Sequence, residues 1–245
     1  MAKYVASTLI AAAAGCLMLP DIASAQETHG YTTVPPESPA EAQIKYSPYP
    51  EQNFPNQVFF GDTHLHTAYS TDAGMVGAKL GPEDAYRFAR GETVTSSTGV
   101  PARLRRPLDF LVVTDHSENL GLAPAIEESD PELLKNEWGK MEHDLVKSGQ
   151  EGALKAYENW MAQNAKREDP LAEMTELKKT MWERETEAAE KYNQPGLFTA
   201  FIGFEWTSMP DGNNLHRNII FRDGKDKADT IVPFSQYDSF DAEDL

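Results

Sequence analysis

The sequence predicts an α/β fold whose strands deliver polar residues to one end, with a helical segment inserted between them. Three observations predict it. Apolar runs within residues 109–113 and 197–204 have the continuous character of strands buried on both faces. Each run passes straight into chemically active side chains, Asp115-His116 after the first and Glu205 after the second. Between them, residues 130–193 become charged and take a helical period. The order strand, helix, strand, helices, strand is that of an α/β barrel or a doubly wound sheet. In both, active residues collect at the C-terminal ends of the strands.

The elements follow in order. Lys3, the apolar and small-residue run from Val5 to Leu19, and Ala23-Ser24-Ala25 form the pattern of a secretory signal peptide over residues 1–25, too short for a membrane span. A lipid anchor on Cys16 is the alternative, and the better cleavage site after Ala25 argues against it. The expected compartment is the periplasm or the exterior. Residues 26–56, with Val34-Pro35-Pro36-Glu37-Ser38-Pro39, read as an extended linker, and His29 within it receives no role. Gln57-Val58-Phe59-Phe60 reads as the first strand. Gly81-Pro82-Glu83 opens a helix through about residue 90, with Pro82 suited to its first turn. Residues 91–107 read as a loop, and residues 109–116 as the second strand.

Asp130-Pro131 and Asp169-Pro170 each join an N-cap to proline at the first helical position. Leu134, Trp138, Met141 and Leu145 then recur at helical spacing, as do Leu154, Tyr157 and Met161, and Met174, Leu177 and Met181. Three amphipathic helices with a packing stripe are expected, and His143 among their charges reads as solvated. Residues 197–207 form a third strand, a polar turn follows at 210–214, and residues 215–221 return as a fourth strand.

Composition limits the function. Removing residues 1–25 leaves about 220 residues, enough for one domain with a sizeable core. That mature chain has no cysteine, which excludes disulfides, thiolate catalysis and Cys-ligated zinc. Its net charge of -17 opposes nucleic acid as a partner, because no basic stripe exists to release counterions. A small phosphoester remains compatible, its charge being met locally by metal ions.

The chemistry starts at Asp62-Thr63-His64-Leu65-His66. Side chains two apart on a strand share a side, so His64 and His66 can grip one metal ion. Asp62 is placed to hold a ring N–H behind them and so fix which nitrogen ligates. Asp72 follows six residues after His66. His116 ends a buried strand, where a hydrogen-bonded core histidine is the plainer alternative. Glu205 follows an apolar run, and a buried carboxylate there needs a pair or a metal. His216 opens the last strand. This set of histidines and carboxylates without cysteine suits zinc, manganese or iron.

Taken together, Asp62-Thr63-His64-Leu65-His66 with Asp72, Thr114-Asp115-His116, Gly203-Phe204-Glu205-Trp206 and Asn214-Leu215-His216-Arg217-Asn218 resemble the first motifs of the PHP (polymerase and histidinol phosphatase) metallohydrolases. The wording of the later motifs is similar to the exported branch catalogued as domain of unknown function 3604. The resemblance covers roughly residues 57–223. It implies a distorted seven-stranded α/β barrel with a helical insertion at 130–193, and a centre for up to three divalent ions. It also implies roles: His64 and His66 for the first metal, Glu205 bridging it to a third, Asp72 and His116 for the second, and His216 for the third. Asp62 and Asp115 would stand behind these ligands. Arg217, beside His216, would clamp phosphate, with an ion pair to Glu205 as the alternative.

The pattern further calls for a mid-barrel His or Cys and a late Asp-x-His pair, and no histidine follows His216. The chain is therefore expected to be the N-terminal part of the barrel, weak in metal binding and nearly inactive by itself. The activity implied for the complete protein is metal-dependent hydrolysis of a small phosphoester. An amidohydrolase-type barrel, which also opens with His-x-His, and a non-catalytic or degenerate metal-binding protein are the two other readings.

Overall fold

A computed structural model describes residues 57–210 and 213–245 of the chain. The expected signal peptide, linker, Cys16 and His29 lie outside these residues. The described chain is mixed α/β with seven helices and small sheets. Strands β1 (Gly61–Asp62), β4 (Phe110–Val112) and β5 (Thr199–Phe201) form a parallel sheet in the order β1-β4-β5. β2 (Val94–Thr95) and β3 (Pro101–Ala102) form a small antiparallel hairpin, inside the stretch expected to be loop. β6 (Gly203–Ser208) and β7 (Leu215–Ile220) form a longer antiparallel ribbon, pairing Gly203 with Ile220 and Thr207 with His216. Among the described residues these sheets do not close into a barrel.

The parallel arrangement continues past the short strands. Thr114 donates its N–H to the Leu65 carbonyl at 2.9 Å, and Glu205 donates to Asp115 at 3.0 Å. Ser117 in turn donates to the Glu205 carbonyl at 2.9 Å, which closes a His116–Glu205 bridge. Three segments distant in sequence are thereby held side by side just beyond the sheet.

The first strand is not where its apolar run suggests. Val58, Phe59 and Phe60 are exposed, and pairing starts only at Gly61. Alternation identifies a strand only when a partner covers one face, and among the described residues Arg106 lies against this run, 5.1 Å over the Phe60 ring, yet leaves it exposed.

Helix α1 (Thr71–Gly74) is a single turn. Helix α2 (Pro82–Ala89) begins where Gly81-Pro82 predicts. Helix α3 (Leu122–Glu128) is an addition to the expected set. Asp130 receives the N–H groups of Glu132 at 2.7 Å and Leu133 at 3.3 Å, which opens a 3-10 turn at Leu133–Lys135 rather than a long helix. The helix proper, α4 (Glu137–Lys147), is capped by Asn136, whose Oδ1 receives the Gly139 N–H at 2.8 Å. Helix α5 (Gln150–Lys166) follows, then α6 (Thr175–Tyr192) and the short α7 (Lys225–Ala228). None of the described helices is long and apolar enough to cross a membrane.

Two cores result. Trp182 and Ala189 of α6 and Tyr86 of α2 pack with Leu111, Val113, Phe204 and Trp206 from the strands. Leu122, Ile126, Leu133, Trp160, Leu177 and Met181 form the second core beneath the helical segment. The expected stripe holds on α6, where Leu177 and Met181 are buried, but Met141, Leu154 and Met161 are exposed. On α5 the buried stripe is Ala156, Trp160 and Asn164, because Trp160 carries more apolar area and finds a polar partner in Asn119.

Gly203, where the chain passes from the parallel sheet into the ribbon, is needed for close approach. A Cβ there would meet Val112 Cγ1 at 2.6 Å and the Ile219 carbonyl at 2.7 Å. Gly203→Ala is expected to cost about 2 kcal/mol of stability. A urea titration of the variant beside the parent reads this directly.

Candidate metal centre

His64 and His66 lie just past β1, and the Nε2 atoms of both reach Glu205 Oε2. Asp72 sits on the α1 turn, His116 at the extension of β4, Glu205 in β6 and His216 opposite Thr207 in β7. The fold brings all six expected metal ligands together. Glu205 is the hub. Its Oε2 lies 2.6 Å from His66 Nε2, 3.1 Å from His64 Nε2 and 3.7 Å from His116 Nε2, while Oε1 lies 2.8 Å from His216 Nδ1. Asp72 Oδ2 lies 3.3 Å from His66 Nδ1 and 3.7 Å from His116 Nε2.

Three overlapping groups could each hold a metal ion: His64, His66 and Glu205; His66, Asp72 and His116; and His116, Glu205 and His216. Their donor atoms lie within 4.8 Å of one another in each group. A fit to cations rests on more than proximity. Glu205 is fully buried, and its Oε1 has no hydrogen bond despite the nearness of His216. A buried carboxylate oxygen close to imidazole nitrogens but out of line with them has the arrangement of co-ligands around a shared ion.

The groups behind the ligands differ from expectation in part. Asp115, fully buried, accepts the Thr67 N–H and, at 2.5 Å, the Thr67 hydroxyl. It thereby fixes the backbone just after His66. Asp62 does not hold an imidazole: its Oδ1 accepts the His64 backbone N–H at 3.0 Å. It shapes the turn that aims His64, since a carboxylate two residues before an N–H closes such a local ring readily.

Arg217 corrects the sequence reading further. It is exposed and stands opposite Trp206, whereas His216 stands opposite Thr207. Neighbouring strand residues point to opposite faces, so the pleat that turns His216 toward Glu205 turns Arg217 away. The ion pair with Glu205 does not form either, as Glu205 is occupied by histidines.

Three further residues complete the site. The Ser70 hydroxyl donates to Asp72 Oδ1 at 2.5 Å and receives the His116 N–H at 3.1 Å. Thr207 Oγ1 lies 2.8 Å from His116 Nδ1 and 3.2 Å from His216 Nδ1. Glu118, buried, places Oε2 3.5 Å from His116 Nδ1. It sits in the turn that follows His116, where the sequence gives no strand periodicity to mark it. His143 is half-buried rather than solvated, with Nε2 2.9 Å from Ser129 Oγ, and belongs to none of the three ligand groups.

The electrostatics reflect this crowding. Burial works against the charged form of His66, but hydrogen bonds with Asp72 and Glu205 and their charges overcome it and hold its pKa at about 10. Burial likewise disfavours the Glu205 carboxylate, yet His66, His116 and His64 bring it down to about 2. Asp72 is held well below the usual range by the same balance, with His66 and Ser70 as its partners. His116 is raised, burial being outweighed first by Glu118 and then by Glu205 and Asp72. Asp115 goes the other way, pushed up to about 6 by complete burial against the pull of Thr67.

These shifts set a pH window for the metal-free protein. The stabilisation from His66 is complete below its ordinary value of 6.5 and is lost as pH rises toward about 10. That from Glu205 is complete above 4.5 and is lost as pH falls toward about 2. These two groups therefore contribute most between pH 4.5 and 6.5. Thermal melts in chelator across the pH range should show the alkaline fall, and His66→Ala should flatten it.

The strands and side chains define a mixed α/β protein with clustered histidines and carboxylates that could hold a metal ion. Residues 53–245 match the family described as "Protein of unknown function (DUF3604)". The chain belongs to that family. Comparison with curated proteins found no match, and comparison with solved structures found none.

Proposed function

We propose that this protein is a metal-dependent hydrolase of the PHP superfamily, acting as a phosphoesterase on small phosphate esters. The observation that carries the reading is the sharing of Glu205 between two of the three ligand groups, with His66 and His116 each shared as well. Shared ligands bring ions close together, which is the arrangement used for in-line displacement at phosphorus. The donor set, imidazole and carboxylate, suits zinc, manganese or iron.

His64, His66 and Glu205 would hold one ion, Asp72 with His116 a second, and Glu205 with His216 a third. Bound divalent ions supply Lewis acidity and lower the pKa of water. The rest is done by the chain. The neighbouring histidines hold the Glu205 pKa at about 2, so its carboxylate is charged and available as a ligand at neutral pH. Asp115 and Thr67 hold the backbone of the paired histidines, and Ser70 ties Asp72 to the strand that carries His116. His64, the more exposed of the pair, lies at the open side where a substrate enters. With Arg217 turned away, phosphate charge is left to the cations, which makes turnover strictly dependent on them.

The reading extends to location and partners. A leader over residues 1–25 would send the protein to the periplasm or the exterior, and the net charge of -17 disfavours nucleic acid as substrate. The test is release of inorganic phosphate from phosphomonoesters, and of the leaving alcohol from phosphodiesters, after loading with zinc, manganese or ferrous iron. Release that requires the metal and disappears in His66→Ala supports the proposal. Metal uptake without release from any ester would overturn the phosphoesterase and leave the amidohydrolase-type and metal-binding readings.

A further inference from the structure

Glu118 is 2% exposed, and its two oxygens have unequal surroundings. Oε1 receives the backbone N–H of Thr207 at 3.2 Å and of Gln236 at 3.0 Å, with the Ser117 hydroxyl at 3.4 Å. Oε2 is buried and has no hydrogen-bond donor of its own, and it faces His116 Nδ1 at 3.5 Å. The other ring nitrogen, Nε2, lies 3.7 Å from both Asp72 Oδ2 and Glu205 Oε2.

We propose that Glu118 is a positioning residue that keeps the proton of His116 on Nδ1, leaving the Nε2 lone pair for a metal ion. The proposal rests on the metal centre described above. A carboxylate can only accept, so the ring nitrogen facing it is the one that carries hydrogen. A buried carboxylate oxygen without a donor is costly, and the ring N–H is the donor within reach. Two backbone N–H groups lock the far oxygen, so the near oxygen cannot rotate away. Thr207 Oγ1, 2.8 Å from the same nitrogen, is able to accept as well as donate and does not oppose this choice. Such outer carboxylates fix ring orientation and ligand basicity at metal sites generally.

Glu118→Gln separates positioning from mere packing, because it preserves shape. The Thr207 and Gln236 N–H groups would claim its carbonyl oxygen, and its NH2 would face Nδ1. A donor there favours hydrogen on Nε2, which removes that nitrogen as a ligand. The experiment uses full-length protein labelled with 15N-histidine, its ring spectra recorded at alkaline pH without metal and then during a zinc titration. A His116→Gln variant assigns the signals.

Wild-type protein should show His116 protonated on Nδ1, and Glu118→Gln should show it on Nε2. Zinc affinity of Glu118→Gln should fall by about 10- to 100-fold with an unchanged melting profile. Hydrogen on Nε2 in the metal-free wild type, or zinc on Nδ1, overturns the proposal. So does a Glu118→Gln protein with wild-type tautomer and affinity. Should the variant not fold, the wild-type spectrum decides alone. A wild type that takes up no zinc overturns the metal centre instead, while the metal-free spectrum still reads the tautomer.

Discussion

Substitution of His66 by alanine is expected to empty two of the three ligand groups at once. Its Nε2 lies 2.6 Å from Glu205 and its Nδ1 3.3 Å from Asp72, so no other histidine sits between both carboxylates at such short range. Outer partners of metal ligands already cost 10- to 100-fold in affinity, and a direct ligand should cost at least roughly 100-fold. His64→Ala is the useful contrast. That ring belongs to one group and is 54% exposed, so its loss should weaken a single ion. Metal analysis after dialysis, with calorimetric titration of zinc, distinguishes the two variants. Wild-type metal content in His66→Ala would sink the centre as drawn.

A second large effect is expected with the opposite sign, at Glu185. This residue lies on α6 between Trp182 and Ala188, is 2% exposed, and neither of its carboxylate oxygens has a hydrogen bond. Burial raises its pKa well above the ordinary 4.5, and the nearby charge of Asp115 adds to the rise. A raised carboxyl is comfortable when protonated, so its contribution is favourable below 4.5 and is lost as pH rises toward the folded value. At neutral pH it is a liability. Glu185→Met keeps the volume and removes the polar atoms, and should stabilise by on the order of 2–3 kcal/mol. The gain should shrink in acid, which a pair of denaturation series at pH 5 and pH 8 would measure. Loss of stability instead would mean that Glu185 has a partner, and would place it in the support of Asp115.

Much of the centre was legible because ligands at strand ends have strict local requirements. His64-Leu65-His66 follows from alternation, and Glu205 stands out as a charge at the end of an apolar run. Arg217 misled for the same reason that His216 did not: adjacency in sequence is separation by a face on a strand. Glu118 was missed because an acid in Ser-Glu-Asn resembles a loop residue until Thr207 and Gln236 are seen to close over it.

In the fold, Gly81-Pro82 and the buried strands were readable, while the Asp-Pro signals marked turns that precede α4 and α6 rather than the helices themselves. The helix faces were less so. Which side of α5 is buried depends on Trp160 finding Asn119, a choice made between distant residues that periodicity alone does not encode.

The three ligand groups also differ in when they can exist. His66, Asp72 and His116 fall within one stretch of chain, whereas the other two groups both wait for Glu205. Ribosomes add about 5–20 residues per second, so the interval between His116 and Glu205 lasts roughly 4–18 s. During that time the middle group has all its members and the outer two have not been made. A cation held by the middle group alone would tie the β1 and β4 segments together without Glu205.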